Sequence, residues 1–142
     1  MKRFGVVLIV ILAFCGLSDS LYLAQHEASG TPLICNVANL SGCNVVAASQ
    51  YTHLFGISIA DCGVIFYAFV FVIALLELVV FDQLLRRIIQ IVSVIGVVAS
   101  LYFTYIELFV LHTVCIYCLT SALIALVVLI FAYFIEPLKK KT

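Results

Sequence analysis

The sequence predicts an all-α fold: an integral membrane four-helix bundle with a long outward loop that carries a short interfacial helix. The first observation is composition, because 66% of the 142 residues are hydrophobic and 10% are charged, which leaves no polar stretch for a separate soluble domain. The second observation is four apolar runs, and a helix needs about 20 such residues to cross a bilayer. Runs of this length exclude ordinary strands. One membrane domain over residues 1–142 is therefore predicted.

The predicted spans follow in order along the chain. The first, 4–23, has a basic start like a signal peptide, but its apolar core exceeds the roughly 7 to 15 residues of a signal h-region, so we interpret it as a retained anchor. The other spans are 57–81, 88–110 and 114–135. The outward loop then covers 24–56, and its short interfacial helix is predicted over 44–51.

The basic residues predict the orientation, because Lys and Arg that flank spans are retained on the cytosolic side. All seven lie on one predicted side of the membrane: Lys2, Arg3, Arg86, Arg87, Lys139, Lys140 and Lys141. Both termini are therefore predicted to be cytosolic. The expected location is the inner cell membrane, with the active site on the periplasmic or extracytosolic side, or the ER membrane in a eukaryote.

Charge and motifs exclude several functions. The formal net charge is zero and no basic loop could follow a phosphate backbone, so nucleic-acid binding is not expected. The three histidines do not fall at metal-ligand spacings, and no Gly-rich phosphate loop is present. We therefore expect neither a metal site nor a nucleotide site.

Cys115 and Cys118 form a C-x-x-C motif at the predicted outer end of the fourth span. Sulfurs one helical turn apart can bridge, and a helix N-terminus favours the thiolate. A rise of 1.5 Å per residue places Cys118 about 4.5 Å deeper than Cys115. Cys115 is therefore predicted to face the loop and Cys118 the bundle interior. The alternative is a pair of small apolar residues or an inert structural disulfide.

A second pair, Cys35 and Cys43, lies in the outward loop, in a compartment that tolerates disulfides. The polar residues between them let this pair bridge or separate, and disulfide exchange requires a mobile attacking thiol. One mobile pair and one fixed pair at the same membrane face indicate a relay. Cys15 and Cys62, within the first and second spans, are interpreted as small apolar residues.

A quinone is the predicted electron acceptor of this relay. The sequence contains no flavin, nicotinamide, haem or iron–sulfur motif, whereas a small lipid-soluble acceptor can reach Cys118 from between the helices. The candidate quinone-binding residues are Phe66, Tyr67 and Tyr117. For each of these aromatic residues, ordinary packing or a place in an interfacial belt is the alternative.

Residues along essentially the whole chain carry a resemblance to a known family. They are Gly16-Leu17, Ser20-Leu21-Tyr22-Leu23, Cys35, Cys43, Ser49, Phe55-Gly56-Ile57, Gly63, Phe66-Tyr67 and Cys115-Ile116-Tyr117-Cys118-Leu119-Thr120-Ser121. Together they resemble the vitamin K epoxide reductase family, particularly its single-domain microbial homologues without a fused thioredoxin domain. The resemblance implies a membrane thiol-disulfide oxidoreductase that supports disulfide-bond formation.

The resemblance also implies roles for individual residues. Cys118 would react with a quinone of the ubiquinone, menaquinone or vitamin K type, and Cys115 would exchange with Cys43. Cys35 would meet the redox partner, a separate thioredoxin-fold protein of the DsbA type. Ser49 corresponds to a hydroxyl near the family's active site, and the alternative for it is a solvated polar residue.

Other functions remain open at this point. Ala122 and Ile59 stand where the animal enzymes have a tyrosine and an asparagine, which weakens the alternative of vitamin K epoxide reduction. The DsbB-like family places its close cysteine pair in the first outward loop, the reverse of this chain. A non-catalytic four-span protein with structural disulfides is the remaining alternative.

Ionisable residues inside predicted spans are functional candidates by default. Asp19, Asp61 and Glu107 lie toward the predicted reactive face, where they could orient polar groups or accept protons released on thiol oxidation. Hydration near the interface is the alternative for each. Glu77 lies toward the cytosolic side and is expected to be structural.

Overall fold

Four helices form the chain's framework. The computed structural model describes residues 2–31, 42, 45, 48–50 and 53–135. The helices are α1 (Lys2–Ser29), α2 (Ile59–Val80), α3 (Gln83–Tyr105) and α4 (Ile116–Ile135). A π-helical turn, Ile106–Val110, extends α3, and a two-residue antiparallel ladder pairs β1 (His53–Leu54) with β2 (Ile57–Ser58). Each helix is long and apolar enough to cross a membrane, which confirms the predicted fold class.

When the π-helical turn is counted with α3, the helix bounds differ from the predicted spans by more than two residues at two ends. α1 continues to Ser29 instead of ending at 23, and α3 begins at Gln83 instead of 88. Hydropathy detects the apolar part of a helix, whereas a helix continues into polar residues until a cap ends it. α1 ends at Ser29 and is followed by Gly30, whose φ of 66° is accessible to glycine at little cost. The predicted interfacial helix over 44–51 falls mainly outside the described residues and stays a prediction.

Capping interactions define both ends of α2 and the start of α3. Ser58 precedes α2 and accepts a hydrogen bond from the Ala60 N–H at 3.2 Å. At the other end, Phe81 adopts a left-handed conformation, and its N–H donates to the Glu77 carbonyl at 3.1 Å. Asp82 then caps α3 by accepting from the Leu84 N–H at 3.1 Å. The two helices are thus joined by a tight two-residue turn.

The helices pack in a closed ring in which α1 contacts α2 and α4, while α3 contacts the same two helices. The core uses small side chains where the helices approach closely, including Ala13, Ala74 and Ala132. Close approach of backbones is the main source of attraction between helices in lipid. Large apolar side chains such as Phe4 and Phe134 are exposed on the outer surface, as expected of a bundle surrounded by lipid.

A buried ion pair lies at the end of the bundle near the α2–α3 turn. The Nε of Arg86 donates to the carboxylate of Glu77, whose side chain is completely buried, while that of Arg86 is 12% exposed. Arg86 was predicted to lie between spans, but the structure places it in the first turn of α3, where it reaches back to α2. One turn further, Gln90 donates to the Ala132 carbonyl of α4 at 3.0 Å.

Candidate active site

The connection from α3 to α4 is built around Glu107. In the π-helical turn the Leu111 N–H donates to the Ile106 carbonyl at 3.0 Å. The next residue, His112, has a φ of 52°, which reverses the chain. The Thr113 N–H then donates to the Glu107 carbonyl at 3.0 Å, and the Cys115 N–H donates to Glu107 Oε2 at 3.2 Å. One acidic residue therefore holds both the turn and the start of the C-x-x-C motif.

The two motif cysteines differ in exposure. Both are free thiols, but Cys115 is 1% exposed and Cys118 is partly exposed. Cys115 lies immediately before α4, where Tyr22 and Leu23 from α1 pack against it. The Cys118 thiol lies within hydrogen-bonding reach of the Cys115 sulfur, and this interaction lowers the pKa of Cys115 below its usual value. A stabilised thiolate is the reactive form in disulfide exchange.

A cavity of about 320 Å³ lies inside the bundle, next to these two cysteines. All four helices contribute to its wall, and both Cys115 and Cys118 line it. Of the predicted quinone-binding residues, Phe66 and Tyr67 line the cavity. Tyr117 is not among the described lining residues and instead packs against Tyr22, with 5.3 Å between ring centroids.

Glycines position the two cavity aromatics. A Cβ at Gly96 would lie 2.3 Å from the Phe66 ring, and one at Gly16 would lie 2.4 Å from the Tyr67 ring. Tyr67 is further fixed by its hydroxyl, which donates to the Ser121 carbonyl of α4 at 2.7 Å. These rings can reach their positions only because α1 and α3 present no side chain there.

The cavity reaches the outer surface of the bundle between α2 and α3. Cys62, Ile95 and Ala99 line the cavity and are also exposed, with Ile95 61% exposed. Ala99, a small residue on α3, lines the cavity at this gap. A molecule dissolved in the lipid could therefore enter from the side.

A polar cluster at the outer end of the cavity ties α1 to the β1–β2 hairpin. Glu27 lines the cavity, accepts a hydrogen bond from the Ser58 hydroxyl and lies 3.3 Å from His53 Nε2. Ser49, predicted from the resemblance, also lines the cavity. No sequence pattern connects Glu27 with residues of the hairpin, and our sequence analysis did not identify it.

One described residue of the segment between α1 and β1, Gly42, contacts the backbone just before the motif. Gly42 is buried, and a Cβ there would lie 2.7 Å from Thr113 Cβ and 3.0 Å from both N and O of Val114. Cys35 and Cys43 lie outside the described residues. Gly42 immediately precedes Cys43 in sequence, however, as Val114 precedes Cys115.

The three predicted acidic candidates occupy different environments. Asp61 is exposed on α2, and Asp19 on α1 is partly buried with a buried carboxylate oxygen that has no hydrogen-bond partner among the described residues. Glu107 is 6% exposed, lines the cavity and contacts the motif. Only Glu107, of these three, is therefore placed next to the motif cysteines among the described residues.

Comparison with known families gives one match over most of the chain. The family described as "Vitamin K epoxide reductase family" matches residues 7–133, a range that includes all of the described cavity-lining residues. No curated protein matches the chain.

Proposed function

The chain belongs to the vitamin K epoxide reductase family and is a membrane oxidoreductase, and from this premise we propose that it carries electrons from protein thiols to a membrane quinone. The observation that supports this most directly is the pair of free thiols, Cys115 and Cys118, in the wall of a cavity that opens toward lipid. In this proposal electrons pass from a redox partner to the loop pair, Cys35 and Cys43, then to the motif pair and finally to the quinone.

The position of Gly42 supports exchange between Cys43 and Cys115. Consecutive Cα atoms are 3.8 Å apart, so a residue adjacent to Gly42 remains close to the backbone that Gly42 contacts. That backbone is Thr113–Val114, directly before Cys115. A short movement of the loop would bring the two sulfurs together, and disulfide exchange would follow through a mixed disulfide.

The cavity fits a quinone ring. Its volume of about 320 Å³ lies within the range of small-molecule sites, and its wall is mainly apolar with a few hydroxyl groups such as those of Ser20 and Ser100. The gap between α2 and α3 would let an isoprenoid tail remain in the lipid. When bound, a quinone supplies an acceptor for two electrons and two protons. Ubiquinone, menaquinone and a vitamin K type quinone all have this chemistry.

Two residues of the chain favour a quinone over vitamin K epoxide as the proposed substrate. Ile59 stands where the animal enzymes have an asparagine, and it lines the cavity as an apolar residue. The second departure, Ala122, lies one residue after Ser121 on α4. Neither side chain can donate a hydrogen bond to an epoxide oxygen.

We place both termini in the cytosol and the motif on the outer face, where disulfides persist. The basic residues support this orientation, since Arg86 and Arg87 lie at the opposite end of the bundle from Cys115. The proposed partner is a separate thioredoxin-fold protein of the DsbA type. The proposed product is therefore an oxidised partner that makes disulfide bonds in other proteins.

Anaerobic stopped-flow mixing tests the proposed function. The protein in detergent or nanodiscs is mixed with a reduced thioredoxin-fold protein and a quinone, and quinone absorbance is followed. We expect one quinone reduced per partner disulfide formed. Disulfides that never exchange with the partner or with a small dithiol would instead support a non-catalytic protein, and reduction of vitamin K epoxide at a comparable rate would support the epoxide activity.

Gly42→Ala is expected to slow electron transfer from the loop to the motif by about 100-fold, because a shift of about 1 Å in reacting groups has this effect. The added Cβ would meet the Val114 backbone, which cannot move aside as a flexible side chain could. The rate is measured from the appearance of reduced motif thiols after a reduced partner is added. Val45→Ala is the matched control, because its side chain is 52% exposed in the same loop.

A small dithiol should reduce the motif disulfide equally fast in Gly42→Ala and in the unmodified protein, since it does not require the loop. Unchanged transfer from the partner in Gly42→Ala would contradict the proposed approach of the loop to Cys115.

A further inference from the structure

We propose that Glu107 is a catalytic residue that takes the proton from the Cys118 thiol and delivers it to the quinone oxygen. The inference rests on the proposed function and adds to it the proton route that the reduction requires. It is carried by position, because Glu107 contacts the motif and also lines the cavity that we assign to the quinone.

The geometry places one carboxyl group against both cysteines. Glu107 Oε2 accepts the Cys115 N–H at 3.2 Å, and the Cys118 thiol lies within hydrogen-bonding reach of the same side chain. Glu107 is 6% exposed and lines the cavity together with both cysteines. A buried ionisable group within a membrane helix is costly and is retained where function requires it.

The other ionisable side chains that line the described cavity have different partners or positions. Glu27 lies at the outer end, where it binds Ser58 and His53. The Tyr67 hydroxyl donates to Ser121 on α4. His26 packs against Tyr22 at the outer end of α1, with 4.2 Å between ring centroids.

The local backbone also fixes Glu107. Its own carbonyl accepts the Thr113 N–H, so the residue is attached at both its backbone and its side chain to the connection that leads into the motif. It lies on the π-helical turn, a structure that is frequent at functional sites. A base held in this way needs no rearrangement at the moment of proton transfer.

The proposed step balances in protons and electrons. Oxidation of the two thiols to a disulfide releases two electrons and two protons, and reduction of a quinone to a quinol consumes the same. Glu107 takes the Cys118 proton as the sulfur gives up its electron pair, and returning that proton to the quinone oxygen restores the carboxylate. When the Cys115 sulfur then bonds to the Cys118 sulfur, the Cys115 proton passes by the same carboxylate to the second quinone oxygen, which completes the quinol.

Glu107→Gln tests the proposal with two readouts that should change in opposite directions. Glutamine keeps an oxygen that accepts the Cys115 N–H but cannot carry a proton, so quinone reduction should fall about 100-fold, within the range for loss of general acid–base catalysis. The first readout is quinone absorbance in single turnover after reduction by a small dithiol.

The second readout needs no quinone. A carboxylate beside a thiol opposes formation of the negative thiolate, so its removal should make alkylation of Cys118 about tenfold faster at one fixed pH. The reduced protein is treated with N-ethylmaleimide, and the modification at each cysteine is followed by mass spectrometry. Asp61→Asn is the matched control, because this exposed acid on α2 does not line the described cavity and should change neither readout.

The outcomes separate this inference from the proposed function. An unmodified protein that fails to reduce quinone would overturn the proposed function, while the alkylation readout would still test the contact between Glu107 and Cys118. Normal quinone reduction by Glu107→Gln would overturn the inference alone, and so would a fall in both readouts of a folded variant. If Glu107→Gln does not fold, Glu107→Asp takes its place; this variant keeps the charge and should lose only part of the turnover. Asp61→Asn, which should keep full turnover, remains the reference.

Discussion

Replacing Cys118 with serine is expected to abolish quinone reduction and to leave Cys115 joined to the outward loop in a stable mixed disulfide. In the proposed relay Cys118 both resolves that mixed disulfide and passes electrons to the quinone. A serine hydroxyl does neither, because it cannot form a disulfide. The loss is measured by quinone absorbance, and the trapped bond by mass spectrometry of a non-reduced digest.

The cysteine joined to Cys115 in the mixed disulfide should be Cys43, because it immediately follows Gly42, the loop residue that contacts Val114. Cys15→Ser is the control, since this exposed thiol on α1 does not line the described cavity and should leave turnover intact. Normal quinone reduction by Cys118→Ser would reject the assignment of this residue. A trapped bond to Cys35 instead would reverse the proposed order of the loop pair.

Arg86→Met is expected to destabilise the folded protein by about 3–5 kcal/mol, the usual cost of removing one partner from a buried ion pair. Its partner, Glu77, is completely buried, so the variant would leave a carboxylate without its cation in the bundle interior. The free energy of unfolding is measured by titration with a denaturing detergent in mixed micelles. The midpoint should fall, whereas thiol reactivity at Cys118 in the folded fraction should not change.

The adjacent arginine provides a matched control. Arg87 is exposed on the same turn of α3, so Arg87→Met should change the free energy of unfolding by less than about 1 kcal/mol. The double variant Glu77→Leu with Arg86→Met should recover much of the lost stability, because it leaves no unpaired charge. Equal effects of Arg86→Met and Arg87→Met would show that the buried pair contributes little.

Hydropathy alone predicted the architecture, because four long apolar runs in a short chain can form few structures other than a bundle of membrane-spanning helices. The C-x-x-C was also predicted at the start of a helix, and the structure places Cys115 immediately before α4 and Cys118 in its first turn. The helix ends were less predictable. α1 extends past 23 through residues that are polar but compatible with a helix, and a hydropathy pattern contains no signal for where such a segment stops.

Contacts between distant segments could not be predicted from one sequence. The burial of Cys115 depends on side chains from α1 and on a loop that approaches closely because Gly42 has no side chain. Likewise, the Glu77–Arg86 pair depends on a tight turn that brings α3 back onto α2. Glu107 was a candidate by its place in a span, but its contact with Cys115 required the π-helical turn and the reversal at His112.

In the proposed function, the gap between α2 and α3 would also determine which quinone concentration controls the rate. Because Ile95 and Ala99 line the cavity at the outer surface of the bundle, a quinone would arrive from the hydrocarbon phase and not from water. The relevant quantity is then the mole fraction of quinone among the surrounding amphiphiles. Added detergent micelles would lower the proposed turnover by surface dilution at constant total quinone, and the Michaelis constant for quinone would then be expressed per mole of lipid.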